Sequence, residues 1–423
     1  MATHTESTSD ERRRFRHICA AGVSFQGGTA AVDSSTIMAA LVYQLTGSPV
    51  AVGAVTTILR IGWLAPQLFV GYFADRRGSS LPYFMVGAFG RATCLALLAC
   101  LLAFAAELPT LLVTVGVFVT WTAYSFVSGI VAVPYNDIVA RSVASERRSR
   151  LLAIRFFGGG LLALLVAMLA KGIVEGLAFP ASYAAIVGLA AGLMYVSSAL
   201  FAWPGEPAPA ESSTPPISFV SYLRDGITVF RVDQRFRRVV FSQWSGALAM
   251  MALPFYVIAA TQAHLALSDV ALLLGAQSVG ALVANPLWGW WGDAIGKRQL
   301  LEGVALLRLL PAVATLVVLF WTPTTPLGVL AAFSGIFFVL GALSNGLTIA
   351  VLGWLMEISP DASRRAYSGY FNALTAPAYL LPLIGGFLAV AVGYAGVFAL
   401  AALGAGMQWG FVRSTRIAGS AAS

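Results

Sequence analysis

Charge is scarce in this chain. Only 10% of its 423 residues are Asp, Glu, Lys or Arg, against roughly 25% in soluble domains, and the mean hydropathy is +0.81. A soluble fold of this size has too little interior to hide so much apolar surface, so lipid must solvate most of the chain. Cysteine and histidine are rare too, with three of each. Cys19, Cys94 and Cys100 all sit in apolar runs, and His4, His17 and His264 share no ligand spacing with them. No metal site or cofactor is expected, and the cysteines read as small buried side chains. There is no Gly-x-x-x-x-Gly-Lys-Ser/Thr loop, which excludes a nucleotide as energy source. No His, or His/Cys/carboxylate set, lies at membrane depth, so an intramembrane enzyme lacks its nucleophile and base. The net charge of +8 comes with no basic patch interleaved with aromatics, and nucleic acid is not an expected partner.

What the chain does have is apolar runs long enough to cross a bilayer, which takes about 20 residues each. They fall near 18–43, 49–72, 82–106, 109–133, 151–174 and 181–203, and resume near 238–261, 268–291, 300–321, 326–350, 366–391 and 392–413. The expected fold is therefore all-α and integral to the membrane, with 12 transmembrane helices in two pseudo-symmetric six-helix bundles, 18–203 and 238–413. Residues 1–17 form an N-terminal tail, 204–237 a linker and 414–423 a C-terminal tail. The basic start, Arg12 to Arg16, mimics a signal peptide, but the apolar run after it is too long and is interrupted by Asp33.

Lys and Arg set the direction. With the N-terminus inside, the cytoplasmic segments hold Arg76, Arg77, Arg141, Arg147, Arg148, Arg150, the linker arginines, Lys297, Arg298, Arg364, Arg365, Arg413 and Arg416, while the outer loops hold only Lys171. Both termini are expected in the cytoplasm, and a bacterial inner (plasma) membrane is the expected location of a monomer. The linker opens with a Pro/Ser stretch, then places Val220, Leu223, Ile227 and Phe230 at helical spacing between charged residues. That pattern predicts an amphipathic helix on the inner membrane surface, tethering the two halves.

The halves repeat each other. Gly71-Tyr72-Phe73-Ala74-Asp75-Arg76-Arg77-Gly78 recurs 218 residues later as Gly289-Trp290-Trp291-Gly292-Asp293-Ala294-Ile295-Gly296-Lys297-Arg298, each copy between two apolar runs. Arg91 maps onto Arg308, and Ser145-Glu146-Arg147-Arg148 onto Ala362-Ser363-Arg364-Arg365, at an offset of 217. Six plus six helices with this loop after spans two and eight resembles the major facilitator superfamily, over essentially the whole chain. That family's loop has the form Gly-x-Leu-Ala-Asp-Arg-x-Gly-Arg-Lys. The first copy keeps Gly71, Ala74, Asp75, Arg76 and Gly78 but has Phe73 for Leu and Ser79-Ser80 for the basic pair; the second keeps Gly289, Asp293, Gly296, Lys297 and Arg298. The resemblance implies that Asp75 latches the cytoplasmic end of the first half against the eleventh helix, with Asp137 placed to join Arg76 or Arg77. The alternative is a polar turn that merely obeys the charge rule.

Ionisable groups in mid-bilayer are costly and usually functional. Asp33 and Arg60 lie at nearly equal distance from the turn near Gly47 and are expected to pair, as a static salt bridge or as a proton-coupling switch. The repeat breaks there, placing Met251 opposite Asp33 and Ser278 opposite Arg60. Arg91 and Arg308, in spans three and nine, suggest a shared structural job such as bonding helix-end carbonyls. In the resembled fold spans one, four, seven and ten line a central cavity, which here would offer Gln26, Asp33, Trp121, Tyr124, Gln243, Tyr256 and Asn345. Polar groups set sparsely among aromatics suit a small amphipathic molecule, and the buried arginines hint at an organic anion.

Pro382-Leu383-Ile384-Gly385-Gly386 is similar to an element of drug–proton antiporters. That element belongs in span five, where Gly158-Gly159-Gly160 stands without a proline. A helix kink with close packing is the plainer reading. The function expected from these features is secondary active transport of a small organic solute by alternating access, coupled to protons, with membrane lipid as the other partner. A drug or metabolite efflux antiporter and a transporter-like sensor without flux are the alternatives.

Overall fold

The computed structural model describes residues 2–74, 79–143, 145–206, 219–266, 269–321, 323–358 and 364–420. Helix dominates, and no strand occurs among the described residues. Among the described residues, ten helices are long and apolar enough to cross a membrane. One of them, Tyr370–Ser414, runs 45 residues, and Gly393 at φ 74° and ψ 171° breaks it in two. With the first span added, whose helix Ala2–Ala31 has a polar, arginine-rich first half and only a short apolar second half, the count returns to twelve.

The chain packs as two units, Met1–Thr46 with Ile58–Pro215 and Gly47–Thr57 with Pro216–Ser423. The first contains α1 (Ala2–Ala31), α2 (Ile37–Thr46), most of α3 (Pro49–Ala74), α4 (Leu81–Ala103), α5 (Thr110–Ser142), α6 (Ser145–Gly176) and α7 (Ala181–Ala202). Helix α1 begins at Ala2, inside the segment read as a tail. Within this unit α4 lies against α5 and α7, and α1 against α6 and α7. Its core includes Ile18, Phe84, Ala88, Leu151 and Phe201.

The second unit contains α8 (Phe219–Val232), α9 (Gln234–Met251), α10 (Phe255–Gln262), α11 (Val270–Ala294), α12 (Lys297–Leu307), α13 (Leu309–Phe320), α14 (Pro326–Ile358), α15 (Arg364–Thr375) and α16 (Leu381–Ser420). Here α11 packs on α14, α9 on α16, and α12 and α13 on both α14 and α16. Glycine makes the α11–α14 contact possible: a Cβ at Gly280 would fall on the carbonyl oxygen of Phe338, and one at Gly341 on that of Gln277. The linker carries helix α8, which packs against α15, where Gly226 faces the Tyr370 ring. Gly385 meets Met251 and Phe255, and Gly386 meets the backbone of Pro49 and Val50. The Pro-Gly-Gly element of span eleven is thus a close-packing site.

Four spans are broken at positions the sequence explains; in span eleven a 3-10 turn with Pro377 at its start separates Thr375 from Leu381. Span one stops at Ala31 because Asp33 Oδ1 accepts from the Ser35 N–H at 3.0 Å, Ser35 Oγ at 2.7 Å and Thr36 Oγ1 at 2.9 Å, a local turn that competes with helix. Span seven stops at Met251 and resumes at Phe255, after Pro254. Span nine divides at Arg308, three residues before Pro311, whose missing N–H and ring weaken the preceding turn.

Candidate functional site

The first unit holds a cavity of about 210 Å³ lined by residues of α1, α3, α4, α5, α6 and α7. Phe25 reaches it from α1, Trp63 from α3, Arg91 from α4, Tyr135 and Asn136 from α5, and Arg155 from α6. No carboxylate is among the described residues that line it. Arg91 is only 5% exposed. Its guanidinium lies over the Phe25 ring with Cζ 4.5 Å from the centroid. It makes no hydrogen bond or ion pair with any described residue, and its Nε is buried without a partner.

Arg155 shares the same ring at 5.6 Å and lies 5.3 Å from that of Tyr135. Its Nη1 donates to the Tyr135 hydroxyl at 3.0 Å, and its Nε is likewise buried and unpartnered. Gly22 on α1 makes room, since a Cβ there would stand 2.8 Å from the Arg155 Cγ and Cδ. Magnitudes show why this arrangement is unusual. A desolvated cation–π contact stabilises by about 2 kcal/mol, whereas burying an ion costs several kcal/mol even after relaxation. Two cations at one ring, without an acid, leave a deficit that a bound anion would offset.

The pseudo-symmetric position in the second unit is filled differently. Arg308 Nη1 donates to Gln408 Oε1 at 2.6 Å and Nη2 to the Gly246 carbonyl at 2.9 Å, and Gln408 Nε2 donates to Gln243 Oε1 at 3.2 Å. Arg308 therefore has hydrogen-bond acceptors inside its own unit, in Gln408 and Gly246, where Arg91 has none among the described residues.

Asp33 and Arg60 do not pair. Asp33 is engaged in its own turn, and Arg60, exposed on α3, makes no ion pair or hydrogen bond with a described residue. Equal depth along two helices did not bring the side chains together, because the turn at Asp33 supplies nearer donors. The cavity candidates divide in the same way. Gln26 packs across Gly159. Trp121 is fully buried and stacks on Tyr124 with centroids 5.0 Å apart. Gln243 belongs to the Arg308 network. Tyr256 packs against Phe398 at 4.8 Å, and Asn345 donates to Asn285 Oδ1 at 2.9 Å. Each therefore has a packing or bonding partner inside its own unit.

Of the first loop copy, Asp75, Arg76 and Gly78 lie outside the described residues, and Gly71 sits in the last turns of α3. The expected partnership of Asp137 with Arg76 or Arg77 lies outside them as well. Asp137 does accept from Ser80 Oγ at 2.6 Å and pairs with Arg141 at 2.5 Å. Arg141 also pairs with Glu206, which in turn accepts from Ser79 Oγ at 2.6 Å and from the backbone N–H groups of Ser80 and Leu81 at 2.8 and 3.1 Å. Burial would raise the Glu206 carboxyl, but the hydrogen bonds from Ser79, Arg141 and the start of α4 outweigh it and hold the group at about 2.

The second copy is described. Asp293 pairs with Lys297 at 2.6 Å. Gly289, with open space around it, precedes that pair on α11. Gly296 takes φ 120°, a conformation that excludes most side chains, and Arg298 lies 3.9 Å from Glu302.

Sequence reasoning missed Arg155 and Glu206. The signal for Arg155 was an arginine four residues inside a predicted span. For Glu206 it was an isolated acid just after span six.

No model of a known protein family and no curated protein matches the sequence. Solved structures match over nearly the whole chain. A POT family transporter in complex with 5-aminolevulinic acid aligns with a TM-score of 0.73 at 11% identity, covering 95% of each chain. One in complex with a thioalcohol conjugated peptide gives 0.71 at 12%, again with 95% of each chain covered. The nucleoside transporter NupG gives 0.68 at 13%, covering 95% of this chain and 98% of its own. The chain has the twelve-helix fold of these transporters.

Proposed function

We propose that this protein is a secondary active transporter that moves a small organic solute across a membrane by alternating access. The observation that carries the reading is the fold itself, which aligns over nearly the whole chain with a peptide transporter and a nucleoside transporter. The same neighbour relations recur in both units: span three or nine lies against four or ten and against six or twelve. Such duplicated bundles suit two halves that rock about a site between repeats.

Within this reading the Gly-x-x-x-Asp loops are cytoplasmic latches, both termini face the cytoplasm of a bacterial inner membrane, and the working unit is a monomer. Asp33 is the candidate for proton coupling, with Arg60 as the accompanying charge, and the remaining cavity candidates contribute to the solute path. Reconstitution in proteoliposomes tests the proposal. Uptake and counterflow would be followed with pooled metabolites and drugs, with and without a pH gradient. Accumulation that collapses with the pH gradient supports coupled transport. Ligand binding with no flux of any solute would mark a sensor and sink the transporter reading.

A further inference from the structure

We propose that the first-unit cavity binds a small organic dianion, with its two negative charges held by Arg91 and Arg155 and its apolar body against Phe25. This rests on the transporter reading only in taking that ligand as the solute; the binding site stands on its own geometry.

The charge comes first. Two guanidinium groups lie against one aromatic ring, Arg91 is 5% exposed, and neither arginine has an acidic partner among the described residues. Both Nε atoms are buried without an acceptor. A guanidinium presents its donors as a planar fork that fits carboxylate, sulfonate or phosphate oxygens. Two forks without an acid call for two anionic groups.

Size and lining narrow the class further. At about 210 Å³ the cavity lies below the range of about 300–1,000 Å³ that drug-sized ligands occupy. Phe25, Trp63, Phe84 and Phe201 supply apolar wall, which a bare inorganic anion would leave unused. The Tyr135 hydroxyl accepts from Arg155, so its own proton remains available to a ligand oxygen.

The test is binding to the purified full chain in detergent, read as thermal stabilisation and by calorimetry at fixed ionic strength. The probes are phthalate, succinate, benzoate, sulfate and glycerol phosphate, with chloride as control. Phthalate and succinate should bind, and phthalate should bind more tightly than benzoate. Arg91→Gln and Arg155→Gln should each weaken phthalate about tenfold or more. Gly22→Ala keeps both charges but displaces the Arg155 stem, and should weaken it too.

If Arg91→Gln does not yield folded protein, Arg155→Gln and Gly22→Ala decide the question. The proposal is overturned if no organic dianion binds, if benzoate equals phthalate, or if binding survives both Arg155→Gln and Gly22→Ala. It is overturned equally if only glycerol phosphate and phosphatidylglycerol vesicles compete, which would make the cavity a lipid-headgroup site. Dianion binding with no flux of any solute in proteoliposomes would refute transport and keep the site. Flux of other solutes without dianion binding would do the reverse.

Discussion

Arg308 donates to Gln408 Oε1 at 2.6 Å, whereas Arg91, its counterpart in the repeat, donates to no described residue. One duplicated position thus carries a satisfied cation in the second unit and an unsatisfied one in the first. The two arginines should respond to replacement with opposite signs. Arg308→Met strips a charged donor from Gln408 and from the Gly246 carbonyl, and should destabilise by about 2 kcal/mol. Arg91→Met removes a buried, unpaired charge, so the ligand-free protein should melt at the same temperature or higher. Melting curves in detergent without added anion check this. A lower melting point for Arg91→Met would mean that its charge is already neutralised.

Asp33 separates two roles by substitution. Asparagine keeps an oxygen that can accept from Ser35 and Thr36, and is as good a cap as aspartate, so Asp33→Asn should fold normally. Asp33→Ala loses the cap and about 1 kcal/mol. If Asp33 couples protons, Asp33→Asn retains counterflow exchange but loses pH-driven accumulation. Unchanged accumulation in Asp33→Asn would leave Asp33 as a helix break only.

The Glu206 cluster has a defined pH signature. Its carboxyl is held at about 2, below the ordinary 4.5. The stabilisation is therefore complete above pH 4.5 and is lost as pH falls from 4.5 through 2. Between pH 5 and 8 the join of span six to the start of span three should not respond to pH. Glu206→Gln should lower the melting point by a few degrees at neutral pH and flatten the acid limb of the stability curve. Melting temperature against pH for both proteins tests this.

Gly280 and Gly341 lock α11 against α14 from opposite sides, each beneath a carbonyl of the other helix. Neither backbone can yield as a flexible side chain would. Gly280→Ala or Gly341→Ala should cost about 2 kcal/mol or more through overpacking and reduce folded yield. Gly335→Ala, on the same α14 but with nothing within 4 Å of its Cβ, is the control and should be harmless. Size-exclusion profiles of the three variants compare them directly.

Spans, repeat and linker helix were legible in the sequence because each rests on periodicity or on lipid-scale length, which lie along one dimension. Side-chain partnerships were not. The depth argument for Asp33 and Arg60 counted residues from a turn but could not see that Ser35 and Thr36 offer Asp33 donors two and three residues away. The pseudo-symmetry of Arg91 and Arg308 was visible, yet their difference depends on Gln408, 100 residues from Arg308. Arg155 carried only a local signal, an arginine early in a span, and its meaning depends on Gly22 and Phe25 from another helix. The breaks do follow the repeat: Met251, opposite Asp33, ends α9, so both first spans are interrupted at one equivalent position by different chemistry, an aspartate turn and Pro254.

The break at Gly393 has a consequence for how the protein is made. Residues on both sides of it are apolar, and the run from Tyr370 to Ser414 contains no polar segment that water could retain. At about 20 residues per crossing, neither half of that run can wait in solution while the other inserts. The last two spans should leave the ribosome and partition into lipid as one hairpin hinged on a single glycine, so an epitope tag inserted at Gly393 should block biogenesis, not transport.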